Sequence, residues 1–190
     1  MSARNKILIV VAVIVVILLS FYSYFKNTYN GLVVLDENVK ASWAQVENQF
    51  QRRFDLIPNL VETVKGYAAH ERETLTEVTN ARARVGQAQN TQDKMGSNNA
   101  LSSALGRLLL VVERYPDLKA NTNFVRLQDE LAGTENRISV ERRRYNETVK
   151  VYNQKIRSFP VNMVAGMFGF ERAELFQAAE GTEQAPKVKF

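Results

Sequence analysis

Thirteen consecutive apolar residues, Ile7 to Leu19 (ILIVVAVIVVILL), constrain this chain more than any other feature. With Ser20 and Ser23 admitted, the run extends to Phe25 and is 19 residues long. At ~1.5 Å per residue such a helix measures about 28 Å, close to the ~30 Å hydrocarbon thickness of a bilayer. Phe21, Tyr22, Tyr24, Phe25 and Tyr29 crowd its C-terminal end, and such rings settle at the water–lipid boundary. Arg4 and Lys6 hold the other end. A cleaved signal peptide has an apolar stretch of about 7–15 residues followed by a small-residue site, and no such site follows here. A core helix of a soluble protein carries a polar face, which this run lacks. Residues 1–28 therefore read as a single-pass membrane anchor, with the span at about 7–25 and the bilayer as its first partner. Arg4, Lys6 and the amino group precede the span, while Lys26 and Lys40 follow it. That balance favours a cytoplasmic N-terminus and the remainder of the chain on the outer side of the cell membrane.

The rest of the chain reads as long helices. Leu32, Leu35, Val39, Trp43, Val46, Phe50, Phe54, Ile57, Val61, Val64 and Ala68 recur at the α-helical period and form one stripe. Pro58 interrupts it, because proline lacks an N–H and pushes Ile57 out of the α region. The expectation is a helix over about 30–53, a corner at 54–57 capped by Asp55, and a second helix over about 58–91. A kinked continuous helix is the alternative. The polar stretch 90–99 (NTQDKMGSNN) reads as a loop. Leu101, Leu105, Leu108, Val111, Val112 and Tyr115 mark a third helix stopped by Pro116.

The fourth helix, about 123–158, has the clearest pattern. Phe124, Leu131, Ile138, Tyr145, Tyr152 and Phe159 recur every seventh residue, with Leu127, Val149 and Ile156 at offset positions on the same side. A seven-residue apolar repeat is the seam of a coiled coil or packed bundle. Asn121, Thr122 or Asn123 can cap its start. The fold class is thus all-α: an N-terminal transmembrane helix followed by an antiparallel up-down four-helix bundle over 29–160. An apolar C-terminal segment, 161–180, packs on or near the bundle, and 181–190 is a disordered tail.

The words RRFDLIPNLVETVKGYAAHE (52–71), ERYPDLKANTNFVRLQDELAGTENRI (113–138) and YNETVKVYNQKIRSFP (145–160) resemble the LemA family, as do YNGLV at 29–33 and the Ala41-Ser42-Trp43 position. The match runs over about 29–177. The resemblance implies a bacterial membrane protein with one N-terminal span and an antiparallel four-helix bundle. It also implies a part in membrane organisation, through members related to magnetosome biogenesis, and it supplies no catalytic residue to carry over.

Composition and motifs exclude several chemistries. The chain has no cysteine and one histidine, so thiolate chemistry, disulfide scaffolds and multi-histidine metal sites are ruled out. His70-Glu71 is followed by Thr74 where a zincin helix needs its second histidine. No P-loop and no G-x-S-x-G occurs. No cofactor is expected and no catalytic residue is assigned. A net charge of +5 is too mild to imply nucleic acid.

Three polar constellations stand out. Tyr29-Asn30, Tyr145-Asn146 and Tyr152-Asn153 repeat a pair; the last two are seven apart, so the Tyr145 and Tyr152 rings are read as filling the core with polar tips bonding across helices. Glu135 occupies an offset core position and needs a cationic partner from another helix; Arg53 is the residue we expect there. Arg142, Arg143 and Arg144 are consecutive and cannot share one helix face. They read as a solvated surface touching anionic lipid. The expected function is a non-catalytic helical scaffold of the bacterial envelope that recruits a membrane or envelope protein. One apolar seam per helix serves a monomer or a homo-oligomer equally. An enzyme with an unrecognised site, or a basic surface binding lipid or nucleic acid, is the alternative.

Overall fold

The computed structural model describes residues 3–176. Every regular element among them is helical: α1 (Ala3–Tyr67), α2 (Arg72–Gln87), α3 (Thr91–Val112), α4 (Pro116–Lys119), α5 (Thr122–Arg157) and α6 (Val161–Phe168). An irregular segment, 170–176, follows α6. The chain divides into two compact units. Among the described residues, the first combines 3–41 with 147–173, and the second combines 42–146 with 174–176. The tail read as disordered, 181–190, lies outside the described residues, as do the last four residues of the 161–180 segment.

The second unit is built on one apolar cluster. Ile57, Leu60 and Val64 of α1, Leu75 and Val78 of α2, Leu101, Leu105 and Leu108 of α3, Leu118 of α4 and Phe124 of α5 all contribute to it. Removing each such side chain from water contributes about 1.5–3 kcal/mol, which is what holds these helices together. α2 packs against α3 across the short link 88–90.

Two helix boundaries in this unit differ from the sequence expectation. There is no corner at 54–57: α1 continues through Pro58 to Tyr67, and Asp55 accepts from Gln51 Nε2 along the helix rather than capping a new one. Pro58 has no N–H to give the Phe54 carbonyl one turn earlier, a loss that ordinarily breaks a helix. Here Arg82 Nε donates to Phe54 O at 3.1 Å, and the Arg82 guanidinium lies 3.8 Å over the Phe54 ring. A side chain from α2 thus satisfies the orphaned carbonyl, and the break falls at 68–71 instead. The polar stretch 90–99 is also not a loop. Asn90 Oδ1 accepts from Asp93 N at 2.8 Å, an N-cap that starts α3 at Thr91, while its Nδ2 donates to Asp93 Oδ2 at 2.7 Å and holds the two side chains together. Met95 and Asn98 turn inward from this stretch, and its other side chains stay polar because they lie outside the core.

α5 starts as expected, with Asn121 Oδ1 accepting from the N–H groups of Asn123 and Phe124 at 3.0 Å each. Phe159, the last member of the seven-residue series, is 81% exposed. The helix ends at Arg157, so Phe159 falls out of helical phase and off the core stripe.

The first unit buries Leu32 and Val39 of α1, Val149, Tyr152 and Ile156 of α5, and Val161, Val164 and Ala165 of α6. Gly169, at φ +72, ends α6 in the left-handed conformation that glycine adopts without steric cost. The same unit carries the apolar run of α1. Its large side chains from Ile7 to Leu19 are each at least 47% exposed. It is the only helix among the described residues long and apolar enough to cross a membrane.

Candidate interaction sites on the helical body

Arg53 sits on α1 between two core positions, Phe50 and Ile57, and is 2% exposed. Its Nη1 donates to Ser102 Oγ at 2.8 Å and to Glu135 Oε2 at 2.7 Å. Its Nη2 donates to Asn98 Oδ1 at 2.6 Å and to the Asn98 carbonyl at 3.2 Å. Asn98 is itself held by a bond from its Nδ2 to the Lys94 carbonyl, 2.9 Å. Burial pulls the guanidinium below its ordinary pKa, and the charge of Glu135 pushes it back up. The Glu135 side chain is 47% exposed, so one end of the pair is dry and the other wet. The structure brings together the two residues that sequence reasoning paired, and adds Asn98 and Ser102. Those two lay in or beside the stretch read as a loop, where nothing marked them. Beside this centre lies a cleft of about 340 Å³, whose walls include Leu60, Leu105, Leu109 and Leu131, with Arg53 and Glu135 also on its lining. The four bonds join α1 to α3 and α5, and the interior charge is satisfied only while these partners are in place.

A second centre surrounds Phe176. Its ring lies 5.8 Å from Trp43, 6.4 Å from Phe50 and 5.6 Å from Tyr145, while the Arg142 guanidinium sits 4.5 Å over it. These spacings suit edge-to-face and cation–π contact. The Asn146 side chain grips the Phe176 backbone from both sides: its Oδ1 accepts from Phe176 N at 2.9 Å, and its Nδ2 donates to Phe176 O at 3.1 Å. Tyr145 Oη donates to the Glu174 carbonyl at 3.0 Å. Burial, with Glu174 adding to it, pushes the Tyr145 hydroxyl up to about 12. In the first unit, Asn153 grips Ala173 in the same two-sided way, at 2.8 and 3.0 Å.

The polar tips of Tyr145, Asn146 and Asn153 therefore bond to the backbone of the segment after α6, not to a neighbouring helix as the sequence pattern suggested. The reason is geometric. A side-chain amide presents one donor and one acceptor, and matches the N–H and C=O of a single residue outside a helix. Within a helix those groups are already paired. Phe176 was not anticipated as a core residue, and its only sequence signal is a Leu-Phe pair after a run of charges. Arg142 is turned onto Phe176, Arg144 pairs with Glu141 at 2.9 Å, and Arg143 is exposed, so the three consecutive arginines take three different environments. His70 is exposed in the link 68–71. Among the described residues no group of acidic, histidine or cysteine side chains is arranged to hold a metal ion.

The model of the LemA family matches residues 42–190, well over half of the chain. The chain belongs to the LemA family. Curated relatives extend the likeness upstream of residue 42. Magnetosome protein MamQ 2 of Paramagnetospirillum magneticum is 29% identical over 196 residues, covering 90% of this chain and 71% of its own length. Magnetosome protein MamQ of Magnetospirillum gryphiswaldense is 26% identical over 199 residues, covering 91% and 73%. Protein LemA of Metamycoplasma hominis is 26% identical over 161 residues, covering 84% and 74%. The matched region of this LemA-family chain includes Arg53, Asn98, Glu135, Tyr145, Asn146 and Phe176.

Proposed function

We propose that this chain is a membrane-anchored, non-catalytic scaffold of the bacterial envelope. The observation that carries the reading is the exposed apolar run of α1. A dozen Val, Ile and Leu side chains face outward from Ile7 to Leu19, whereas the large apolar side chains of the core are buried. At about −0.3 to −0.6 kcal/mol per such residue, insertion into a bilayer is favourable by roughly 4–7 kcal/mol. The span covers 7–25, the N-terminus is cytoplasmic, and the helical body lies on the outer side.

In this reading α1, α2, α3 and α5 form an antiparallel up-down four-helix bundle around the shared cluster, with Arg53 setting its register. The bundle recruits a membrane or envelope protein, or a second copy. Several relatives are named as magnetosome proteins, and a part in building an organised assembly is the role we carry from that name to this chain. Protease treatment of intact cells tests the orientation. Digestion of the body without permeabilisation is expected, and protection until the membrane is opened would reverse the assignment.

A further inference from the structure

We propose that α6 is an interfacial helix, lying in the headgroup layer of the leaflet from which the apolar part of α1 emerges. The proposal rests on the anchor reading and adds a second, independent membrane contact. The first observation is position. The Phe168 ring lies 4.7 Å and the Phe170 ring 5.9 Å from the ring of Tyr29. Tyr29 is four residues beyond Phe25, the end of the apolar run, a rise of about 6 Å along α1. The polar layer on each side of a bilayer is roughly 5–8 Å thick. Phe168 is therefore held at the depth of that layer by its contact with the spanning helix itself.

The second observation is exposure. Val161, Val164 and Ala165 are buried, yet the opposite side of α6 presents Met163, 60% exposed, and Met167, 68% exposed, four residues apart on one face. Phe168 and Phe159 are exposed beside them. The third is charge. Ser158 to Phe170 is thirteen residues without a charged side chain. A helix facing water carries polar and charged residues on its outer face, and Asn162 is the only polar residue α6 offers. Lys155 and Arg157, in the last turn of α5, stand just before this stretch, placed to meet anionic headgroups. An apolar face with aromatic and methionine side chains, flanked by basic residues, is the pattern of a helix that inserts about 5–10 Å into the headgroup and acyl boundary.

The absence of cysteine from the chain makes the test direct. Single variants Met163→Cys and Met167→Cys, in the full chain, are labelled with an environment-sensitive fluorophore and reconstituted into phosphatidylcholine–phosphatidylglycerol vesicles. Ile14→Cys marks the anchor and Glu62→Cys a water-facing position. The expected result is blue-shifted emission at Met163 and Met167 that nitroxide-bearing lipids quench several-fold, as at Ile14, with no lipid quenching at Glu62. Water-like emission at both methionine positions while Ile14 is quenched would overturn the proposal alone. So would blue-shifted emission that lipid quenchers do not reach, which would mean that protein covers α6. Loss of lipid quenching at Ile14 would overturn the anchor reading itself.

Discussion

Replacing Tyr145 with Phe should change the sign of its effect on stability as pH rises. At neutral pH the substitution keeps the ring against Trp43 and Phe176 and removes the bond from the hydroxyl to the Glu174 carbonyl. One such bond is worth about 0.5–1.5 kcal/mol net, so Tyr145→Phe is the less stable protein. The folded-state pKa of Tyr145 is pushed up to about 12, chiefly by burial. Its unfolded pKa is about 10. A raised folded pKa means that the unfolded chain releases the proton first. The wild type keeps its full stability below about pH 10 and loses it progressively between about 10 and 12. Two pH units at 1.36 kcal/mol each, reduced for water that reaches the hydroxyl, give a loss of about 1–3 kcal/mol. Phenylalanine cannot ionise, so the variant escapes this loss. Thermal unfolding of both proteins in the same detergent, at matched pH values from neutral to strongly alkaline, should show the two stability curves crossing near pH 11. Parallel curves over that range would show that the hydroxyl is not held in a dry site, and the packing described around Phe176 would be wrong.

Other substitutions probe the remaining contacts. Glu135→Gln leaves the buried Arg53 without its counter-charge, and because Glu135 is half exposed the expected cost is about 1–2 kcal/mol rather than the 3–5 of a fully buried pair; an unchanged melting temperature would contradict it. Arg82→Leu leaves the Phe54 carbonyl without a donor, whereas in a Pro58→Ala background the restored N–H takes its place. A double-mutant cycle should therefore show about 1 kcal/mol of coupling, and strict additivity would mean that Arg82 does not serve that carbonyl. Asn146→Leu removes both grips on the Phe176 backbone. Limited proteolysis should then cut near Glu174 several-fold faster than in the wild type, and equal cutting rates would show that the amide is dispensable.

Much of the helical content was legible in the sequence because apolar periodicity over long stretches reports directly on which face is buried. The stripe from Leu32 to Ala68 and the series from Phe124 to Tyr152 supply most of the buried side chains of α1 and α5. Local rules failed where a distant residue intervenes. Pro58 reads as a break until Arg82, on another helix, satisfies the carbonyl that proline leaves open. Residues 90–99 read as a loop because their polarity resembles loop composition, although Asn90 and Asp93 are spaced as a cap. Arg53 and Glu135 were pairable by a cost argument, since a charge on an inward-facing stripe demands a partner. Asn98 and Ser102 were not, because a neutral side chain makes no such demand. The grip of Asn146 on Phe176 depends on a chain reversal after α5 that periodicity does not encode.

A membrane anchor requires the apolar part of α1 to remain in a bilayer while attached to the folded body. Washing membranes from expressing cells with alkaline carbonate, then measuring the intact mass of what stays in the pellet, tests that directly. The chain is expected to stay in the pellet and to retain residues 7–25. Release into the wash, or recovery only of a species that has lost those residues, would contradict it.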